Sequence, residues 1–440
     1  MDRILVFPCG SEIGLEIARA FEGIKHIELI GGSSVDDHGR FIYKKYIDNI
    51  PPVLAEDFHQ KILEIVETYQ VDYLFPAHDA AVLKFAQMQN DLPCKVIGSP
   101  LPTAMLSRSK KKTYQFFRSA LSVPTMYNEA DLDDDILFPV FLKPDVGQGS
   151  KGVYKAHNKA ETLFYLNKDP SLLILEYLPG EEYTVDCYTD SNGRLQFSGG
   201  RKRHRILNGI SVNTMPVYDP AIQDMANIIN DLLIFKGAWF FQLKRNRNDT
   251  LTLLEIAPRV AGSMALFRIQ GVNLPLLSYY CHKGIPGVIL QNRVHLEMDR
   301  ALTNRYLIQI SYQHVYIDFD DCIFMNGRIN EQAIQFLFRC INDEKKIYLV
   351  TRHRGDIYKK LDALRISQLF DEVYHLREDK EKKSDYIRHQ DAIFIDDSFR
   401  ERKDVMTRLG LPVFGVDNLE GLVHSYPTQT VEKLKPIKTK

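Results

Sequence analysis

Long apolar runs are missing from this sequence of 440 residues, and so is any marked excess of charge. No stretch of about 18 apolar residues occurs, so the sequence predicts no membrane-spanning helix. The net charge of −1 gives no indication of a protein that binds nucleic acid or a membrane surface. The opening residues 1–14 reach acidic and turn-forming residues too early for a secretory signal peptide, so none is expected.

Cysteine is also sparse. The six cysteines are scattered and show neither C-x-x-C spacing nor the density of a disulfide-stabilised domain: Cys9, Cys94, Cys187, Cys281, Cys322 and Cys340. This usage predicts a reduced, cytoplasmic setting and no zinc site.

Two glycine-rich motifs that bind phosphates are absent as well. Gly10 and Gly14 do not complete G-x-G-x-x-G, and no G-x-x-x-x-G-K-[ST] occurs. Residues 138–153, FPVFLKPDVGQGSKGV, instead predict a strand, a glycine-rich turn and a second strand. Glycine lets backbone N–H groups surround phosphate oxygens. Lys143, at the end of the first strand, supplies a positive charge for such an anion.

The first hundred residues alternate between strands and helices, which predicts a parallel sheet with ligand-binding groups at the carboxyl ends of its strands. His78 and Asp79 follow one strand and either face a substrate or are solvated loop residues. Ser109 is a plausible N-cap of a helix over 109–117. The lysines in its first turn, Lys110 among them, are either a solvated basic run or include one that reaches an anion.

Further along the chain, polar residues follow or interrupt apolar strands. Glu176 and Glu182 flank a linker whose free backbone groups and carboxylate suit an adenine and a ribose. The basic run over 201–205 is either a solvated strand edge or an anion clamp. A hairpin pattern over 239–256 places Gln242 and Glu255 on adjoining strands, with Arg259 just beyond.

The order of these features resembles the ATP-grasp superfamily, particularly its carbamoyl-phosphate-synthase-like branch, over roughly residues 1–290. The resemblance implies contacts to ATP, a metal site and a group that meets the transferring phosphate. Lys110, Lys143, Gly149 and Ser150 would contact ATP phosphates, Glu176 and Leu178 adenine, Glu182 the ribose, Gln242 and Glu255 Mg²⁺, and Arg259 the phosphate or acyl phosphate. Ala257 stands where the family has a metal-binding Asn, and a methyl group cannot coordinate Mg²⁺.

From about residue 307 a second alternating pattern begins. Each polar cluster again follows a strand, where an open α/β sheet builds its site. Paired carboxylates spaced i, i+2 suit a nucleophile and a general acid/base. The clusters contain Asp318 and Asp320, Thr351, Lys380 and Lys383, and Asp396 and Asp397.

This second pattern resembles the haloacid-dehalogenase-like (HAD) phosphatases over roughly residues 312–430. The resemblance implies Asp318 as nucleophile and Asp320 as acid/base. Thr351 would hold the phosphoryl group, and Lys383, with Lys380 as the second candidate, would supply the balancing charge. Mg²⁺ would lie among Asp318, Asp320, Asp396 and Asp397. Cys322 stands where Thr or Val is usual, and the short segments between the motifs predict a unit without a separate cap domain.

The sequence therefore predicts an α/β protein of three parts: a Rossmann-like pre-ATP-grasp subdomain over 1–105, an ATP-grasp domain over 106–300 with a lid at about 120–185, and a capless HAD-like parallel-sheet domain over 312–430. The predicted function is an ATP-dependent carboxylate ligase fused to a Mg²⁺-dependent phosphohydrolase. Its partners would be a small carboxylate, an amine or similar nucleophile, and a phosphorylated substrate. Two alternatives stay open: a non-catalytic nucleotide-binding protein, and an active phosphatase whose ATP-grasp half serves as a cap.

Overall fold

The computed structural model describes residues 1–133, 136–147, 151–207, 209–378, 380–424 and 432–433. The chain divides into two compact units. Unit 1 runs to Leu302 and also includes the short strand Glu432–Lys433, and unit 2 begins at Thr303. In the described part of the chain, no helix is both long and apolar enough to cross a membrane. The six cysteines are buried free thiols.

Unit 1 begins with a parallel sheet in the order β3-β2-β1-β4-β5, flanked by helices. Its strands are β1 (Asp2–Phe7), β2 (Ile27–Gly32), β3 (Lys45–Ile47), β4 (Tyr73–Pro76) and β5 (Lys95–Val96). The helices of this region are α1 (Glu12–Ala20), α2 (Phe58–Thr68), α3 (Asp79–Met88), α4 (Leu101–Arg108) and α5 (Lys110–Phe117).

The turn from β1 into α1 shows how the sequence sets this packing. Ser11 caps α1 by accepting a hydrogen bond from the Gly14 N–H at 3.0 Å. A Cβ at position 14 would lie 2.4 Å from the Cys9 carbonyl oxygen, so glycine is required for this close approach. Gly14 therefore allows the first turn of α1 to pack closely against the end of β1.

A small antiparallel sheet follows, in the order β6-β9-β7-β8. It consists of β6 (Met126–Tyr127), β7 (Val140–Pro144), β8 (Tyr154–Ala156) and β9 (Leu172–Glu176), with helix α6 (Lys159–Lys168) beside it. Apolar side chains of these elements form a core of their own, as expected for a subdomain. The sheet lies within the segment 120–185 that the sequence predicts as a lid.

A third, antiparallel sheet completes unit 1, in the order β14-β13-β10-β11-β12-β15. Its strands are β10 (Glu182–Thr189), β11 (Leu195–Leu207), β12 (Ile210–Val217), β13 (Gly237–Arg245), β14 (Leu251–Ala257) and β15 (Met298–Asp299). The helices here are α7 (Pro220–Leu232), α8 (Ala265–Ile269) and α9 (Leu274–Lys283). The predicted hairpin is confirmed, because Gln242 on β13 pairs directly with Glu255 on β14.

Unit 2 is built on a parallel sheet in the order β20-β19-β16-β21-β22. The strands of unit 2 are β16 (His314–Ile317), β17 (Phe324–Met325), β18 (Arg328–Ile329), β19 (Lys346–Thr351), β20 (Glu372–His375), β21 (Ala392–Ile395) and β22 (Val413–Phe414); β17 and β18 form a separate hairpin. The helices are α10 (Glu331–Asn342), α11 (Ile357–Ala363), α12 (Phe399–Leu409) and α13 (Leu419–Val423). Apolar cores cover both faces of the sheet. The last strand, β23 (Glu432–Lys433), runs parallel to β3 in unit 1.

Candidate functional site

Two adjoining cavities lie in unit 1, and six residues line both of them. The first cavity has a volume of about 180 Å³ and the second about 360 Å³. The shared lining residues are Lys110, Gly147, Arg203, Gly209, Gln242 and Glu255. A ligand in the first cavity therefore meets a ligand in the second at these side chains.

Strand register aligns four polar residues across the floor of the second cavity. Arg201 on β11 lies opposite Thr184 on β10, Thr184 lies opposite Gln242, and Gln242 lies opposite Glu255. Directly opposed residues share a face of an antiparallel sheet. All four residues line the second cavity, so the strand pairing itself builds this part of the site.

Lys143 and Lys110, both predicted to contact phosphate, line the first cavity. The Lys143 ammonium donates to the Tyr114 hydroxyl at 2.8 Å, and that hydroxyl donates to the Leu254 carbonyl at 2.7 Å. Burial, together with the positive charge of Lys110, lowers the pKa of Lys143 to about 8. The ammonium of Lys110 donates to the Asp145 and Gly147 carbonyls, at 3.3 and 3.4 Å.

The glycine-rich turn is described only in part. Gly149 and Ser150, predicted phosphate contacts, lie outside the described residues. Gly147 and Lys151 line the first cavity, and Gly152 adopts a positive φ of 69°. The turn therefore borders the same cavity as the two lysines.

The residues predicted to hold adenine and ribose also line the first cavity: Glu176, Leu178 and Glu182. The Glu176 carboxylate accepts from the Thr125 backbone N–H at 3.3 Å and from its hydroxyl at 3.4 Å. Glu182 already has partners, since it forms an ion pair with Arg203 and lies 3.5 Å from the Lys244 ammonium. The sequence pattern did not indicate the pair with Arg203.

The predicted metal ligands Gln242 and Glu255 supply two oxygen donors where the cavities join. The Gln242 amide oxygen accepts from Arg203 Nη1 at 3.2 Å, whereas no described residue donates a hydrogen bond or forms an ion pair with Glu255. Oxygen donors fit Mg²⁺, which prefers such ligands. Ala257 is buried and packs against Phe240 and Ala261, so it contributes only apolar surface.

Arg259, predicted to meet a phosphate, is held by a partner that lies 180 residues away in the sequence. Its Nε and Nη2 donate to the two carboxylate oxygens of Asp79 at 2.6 and 2.7 Å, and its Nη1 donates to the Val260 carbonyl at 3.1 Å. Burial alone would raise the pKa of Asp79, but the positive charge and hydrogen bonds of Arg259 outweigh it and lower that pKa. Asp79 and His78 line the second cavity, so of the two alternatives the structure favours a place at the site.

The basic run over 201–205 is not a solvated edge, because β11 is paired on both sides. Arg201 is 1% exposed and its Nε donates to Asp186 at 2.7 Å. Arg203 lines both cavities, whereas the exposed Arg205 pairs with Asp299 at 2.6 Å. Arg201 and Arg203, which alternate along β11, thus face the site, whereas Arg205 lies at the exposed end of the strand.

In unit 2, one buried lysine joins two predicted site carboxylates. The Lys383 ammonium lies 2.9 Å from Asp318, which follows β16, and donates to Asp396, which follows β21, at 2.7 Å. Burial and the charge of Asp318 raise the pKa of Asp396 to about 7, although Lys383 opposes the shift. Burial also raises the pKa of Asp318, whereas the two carboxylates together raise the pKa of Lys383 against its burial. The exposed Lys380 forms no ion pair with any described residue.

The remaining predicted residues of unit 2 divide into two groups. Both carboxylate oxygens of Asp320 lie 3.0 Å from His353 Nδ1, and the buried Thr351 hydroxyl accepts from the His353 N–H at 3.2 Å. Donor atoms of Asp318, Cys322 and Asp397 lie within 4.8 Å of one another and form a candidate metal group. Asp320 and Asp396, predicted metal ligands, are not part of that group, and Cys322 was not predicted to belong to it.

Residues 168–299 match the family model described as "ATP-grasp in the biosynthetic pathway with Ter operon". The D-alanine–D-alanine ligase of Petrotoga mobilis is 34% identical over 89 residues, which cover 19% of this chain. The chain spans only 30% of the length of that curated relative. The family-model match concerns unit 1, since it ends before unit 2 begins.

Solved structures supply the fold. The biotin carboxylase domain of the Hydrogenobacter thermophilus 2-oxoglutarate carboxylase, crystallised with MgADP, ADP and bicarbonate, has a TM-score of 0.54 at 15% identity, covering 67% of this chain and 71% of that one. The biotin carboxylase of Campylobacter jejuni in complex with beta-gamma-ATP has a TM-score of 0.55 at 17% identity, covering 65% of this chain and 72% of that one. An L-amino acid ligase from Bacillus licheniformis has a TM-score of 0.52 at 15% identity, covering 64% of this chain and 74% of that one. Unit 1 has the ATP-grasp fold. At these identities the likeness concerns the fold alone.

The bridge between the two carboxylates predicts a large effect of removing Lys383. We expect Lys383→Met to lower the stability of unit 2 by about 3–5 kcal/mol, because buried carboxylates would lose their counter-charge. Urea unfolding followed by circular dichroism measures the change. Lys382→Met is the matched control, since that lysine is 55% exposed and its contact with Asp404 is at the surface. Equal stability of the two variants would contradict the proposed bridge.

Proposed function

We propose that unit 1 is an ATP-dependent ligase that phosphorylates a carboxylic acid and passes the acyl group to an amine. The observation that carries this proposal is the junction of the two cavities at Lys110, Arg203, Gln242 and Glu255. Phosphoryl transfer needs donor and acceptor held in line, with their charge neutralised. Two cavities that share a charged wall suit a nucleotide on one side and an acid on the other.

In this proposal the first cavity binds MgATP. Lys143 and Lys110 hold phosphate oxygens, Glu176 and Leu178 border the adenine, and Glu182 faces the ribose. Gln242 and Glu255 would hold Mg²⁺, which neutralises phosphate charge when it is bound. Ala257 offers no ligand atom, so phosphate oxygens and water would supply the remaining oxygen donors beside Gln242 and Glu255.

The second cavity binds the acid. Its carboxylate attacks the terminal phosphorus of ATP, the bond to the bridging oxygen breaks, and ADP leaves. The amine then attacks the acyl carbon, which expels inorganic phosphate and leaves an amide. Arg259, held by Asp79, orients the acid or its acyl phosphate from the wall of this cavity.

The chemistry is tested by trapping the acyl phosphate. With MgATP, hydroxylamine and a panel of small carboxylic acids, we expect hydroxamate to form in step with ADP for at least one acid. ADP release independent of any acid would indicate an ATPase. Binding of MgATP with no turnover on any acid would favour the non-catalytic alternative.

Lys143 gives a sharper test of the nucleotide site. We expect Lys143→Met to weaken MgATP binding roughly 10- to 150-fold at pH 7, the value of one charge-assisted hydrogen bond. Because the pKa of Lys143 is lowered to about 8, its positive charge is lost as the pH rises through 8. Wild-type affinity should therefore fall between pH 7 and pH 9.5, and the variant should lose much of this dependence.

Calorimetric titration with MgATP measures both effects. Lys168→Met, which removes an exposed lysine of α6, should leave the affinity unchanged. Equal affinity of wild type and Lys143→Met for MgATP between pH 7 and pH 9.5 would contradict the assignment of Lys143 to the nucleotide site.

We propose for unit 2 a Mg²⁺-dependent phosphohydrolase, because the Asp318–Lys383–Asp396 bridge keeps a buried carboxylate beside a cation. Asp318 attacks the phosphorus of a phosphate monoester and forms an aspartyl phosphate, while Asp320 protonates the leaving oxygen. Asp320 then takes a proton from the water that releases phosphate. Mg²⁺, held by Asp318 and Asp397, would offset the negative charge of the phosphoryl group.

Substitution of the two carboxylates distinguishes their roles. We expect Asp318→Asn to abolish hydrolysis of p-nitrophenyl phosphate and Asp320→Asn to slow it by about 10²–10⁴, the usual contribution of a general acid/base. Removal of Mg²⁺ by a chelator should abolish hydrolysis as well. Asp362→Asn, on the exposed side of α11, is the control and should leave the rate unchanged. Metal-dependent hydrolysis by Asp318→Asn would refute the assignment.

A further inference from the structure

Most charged residues around the second cavity are already paired within the protein. Arg259 is held by Asp79, Arg203 by Glu182, and Glu12 by Arg300. The ammonium of Lys110 faces the first cavity as well and is assigned to the nucleotide. Arg201 forms an ion pair with Asp186 at 2.7 Å, which leaves Arg108 as the cationic side chain that lines only the second cavity and has no carboxylate partner among the described residues.

Arg108 is the last residue of α4 and lines the second cavity but not the first. Its recorded hydrogen bond is a long one, from Nη1 to the Gly147 carbonyl at 3.4 Å. In the part of the chain that the structure describes, no carboxylate lies within ion-pair distance of its guanidinium. Its positive charge contributes to lowering the pKa of His78, of Asp79 and of Lys110, which places the guanidinium near those groups.

A second, independent observation comes from buried donors in the same wall. Arg201 is only 1% exposed, and its Nη1 has no hydrogen-bond partner among the described residues. The Ser107 hydroxyl and Arg203 Nε are buried and unpartnered in the same way. Buried donors are nearly always satisfied in folded proteins, so oxygens of a bound ligand are the natural acceptors here.

We propose that the acid bound in the second cavity carries a second oxyanion besides its reacting carboxylate, and that Arg108 selects it. The second group is a carboxylate or a phosphate monoester, which present the same oxygen acceptors to a guanidinium. Arg201, already neutralised by Asp186, acts as a hydrogen-bond donor, whereas Arg108 keeps a full positive charge for the ligand. The inference rests on the proposed acid-binding role of this cavity and names the substrate class.

Matched pairs of acids test this selectivity by direct binding. Glutarate is compared with pentanoate, and 3-phosphoglycerate with glycerate, by calorimetry on the protein saturated with Mg²⁺ and a non-hydrolysable ATP analogue. We expect the acid with two oxyanions in at least one pair, glutarate or 3-phosphoglycerate, to bind at least 10-fold more tightly than its partner with a single carboxylate. The pair that shows the preference distinguishes a carboxylate from a phosphate.

The variants locate the preference at Arg108. Arg108→Met should weaken binding of the preferred acid roughly 10- to 150-fold and leave binding of its single-carboxylate partner and of the ATP analogue unchanged. Arg108→Lys should restore part of the loss. Lys112→Met, which removes an exposed charge of α5 that lines neither cavity, should have no effect.

Three results would overturn the proposal: no preference for either acid with two oxyanions, equal weakening of both members of a pair by Arg108→Met, or weaker binding of the ATP analogue by that variant. The last would assign Arg108 to the nucleotide. Failure of the ligase proposal has a different signature, namely selective binding of an acid with two oxyanions without hydroxamate formation from any acid.

Discussion

The register of the third sheet is the constraint on which the candidate site of unit 1 depends. Pairing of β10 with β11 and β13, and of β13 with β14, places Arg201, Thr184, Gln242 and Glu255 in one row across four strands. A slip of one residue in any of these pairs would turn that strand's members to the opposite face. The apolar side chains on the other face, including Val185, Phe241 and Ile256, form a buried core and oppose such a slip.

Local patterns were sufficient to predict much of this arrangement. The hairpin pattern over 239–256 predicted that Gln242 and Glu255 lie on adjoining strands, and the Ser109 cap predicted the start of α5. In unit 2, β16 and β21 are each followed by acidic residues, as the sequence predicted, and the two strands are neighbours in one parallel sheet. Their acidic residues lie close together because the carboxyl ends of parallel strands meet at one edge. Placement of a residue at an element end follows from sequence spacing alone.

Pairs between distant segments could not be predicted in this way. The ion pairs of Arg259 with Asp79 and of Arg203 with Glu182 depend on how the sheets pack, which leaves no periodic signal in the sequence. For the same reason Arg108 was missed: it precedes a predicted lysine by two residues, but nothing local marks it as unpaired. The closeness of Cys322 to Asp397, 4.0 Å from Sγ to Oδ1, likewise depends on how the turn after β16 packs beside the end of β21.

The thiol of Cys322 bears on which cations would suit the metal site proposed for unit 2. Burial, together with the charge of Asp318, raises the pKa of this thiol, so it keeps its proton at neutral pH. In the metal site proposed for unit 2, a hard cation such as Mg²⁺ would use the carboxylates of Asp318 and Asp397 and gain nothing from sulfur. A thiophilic cation such as Zn²⁺ would gain a third ligand there only by displacing that proton. The protonated thiol would therefore oppose the binding of zinc at the proposed site, and less strongly as the pH rises.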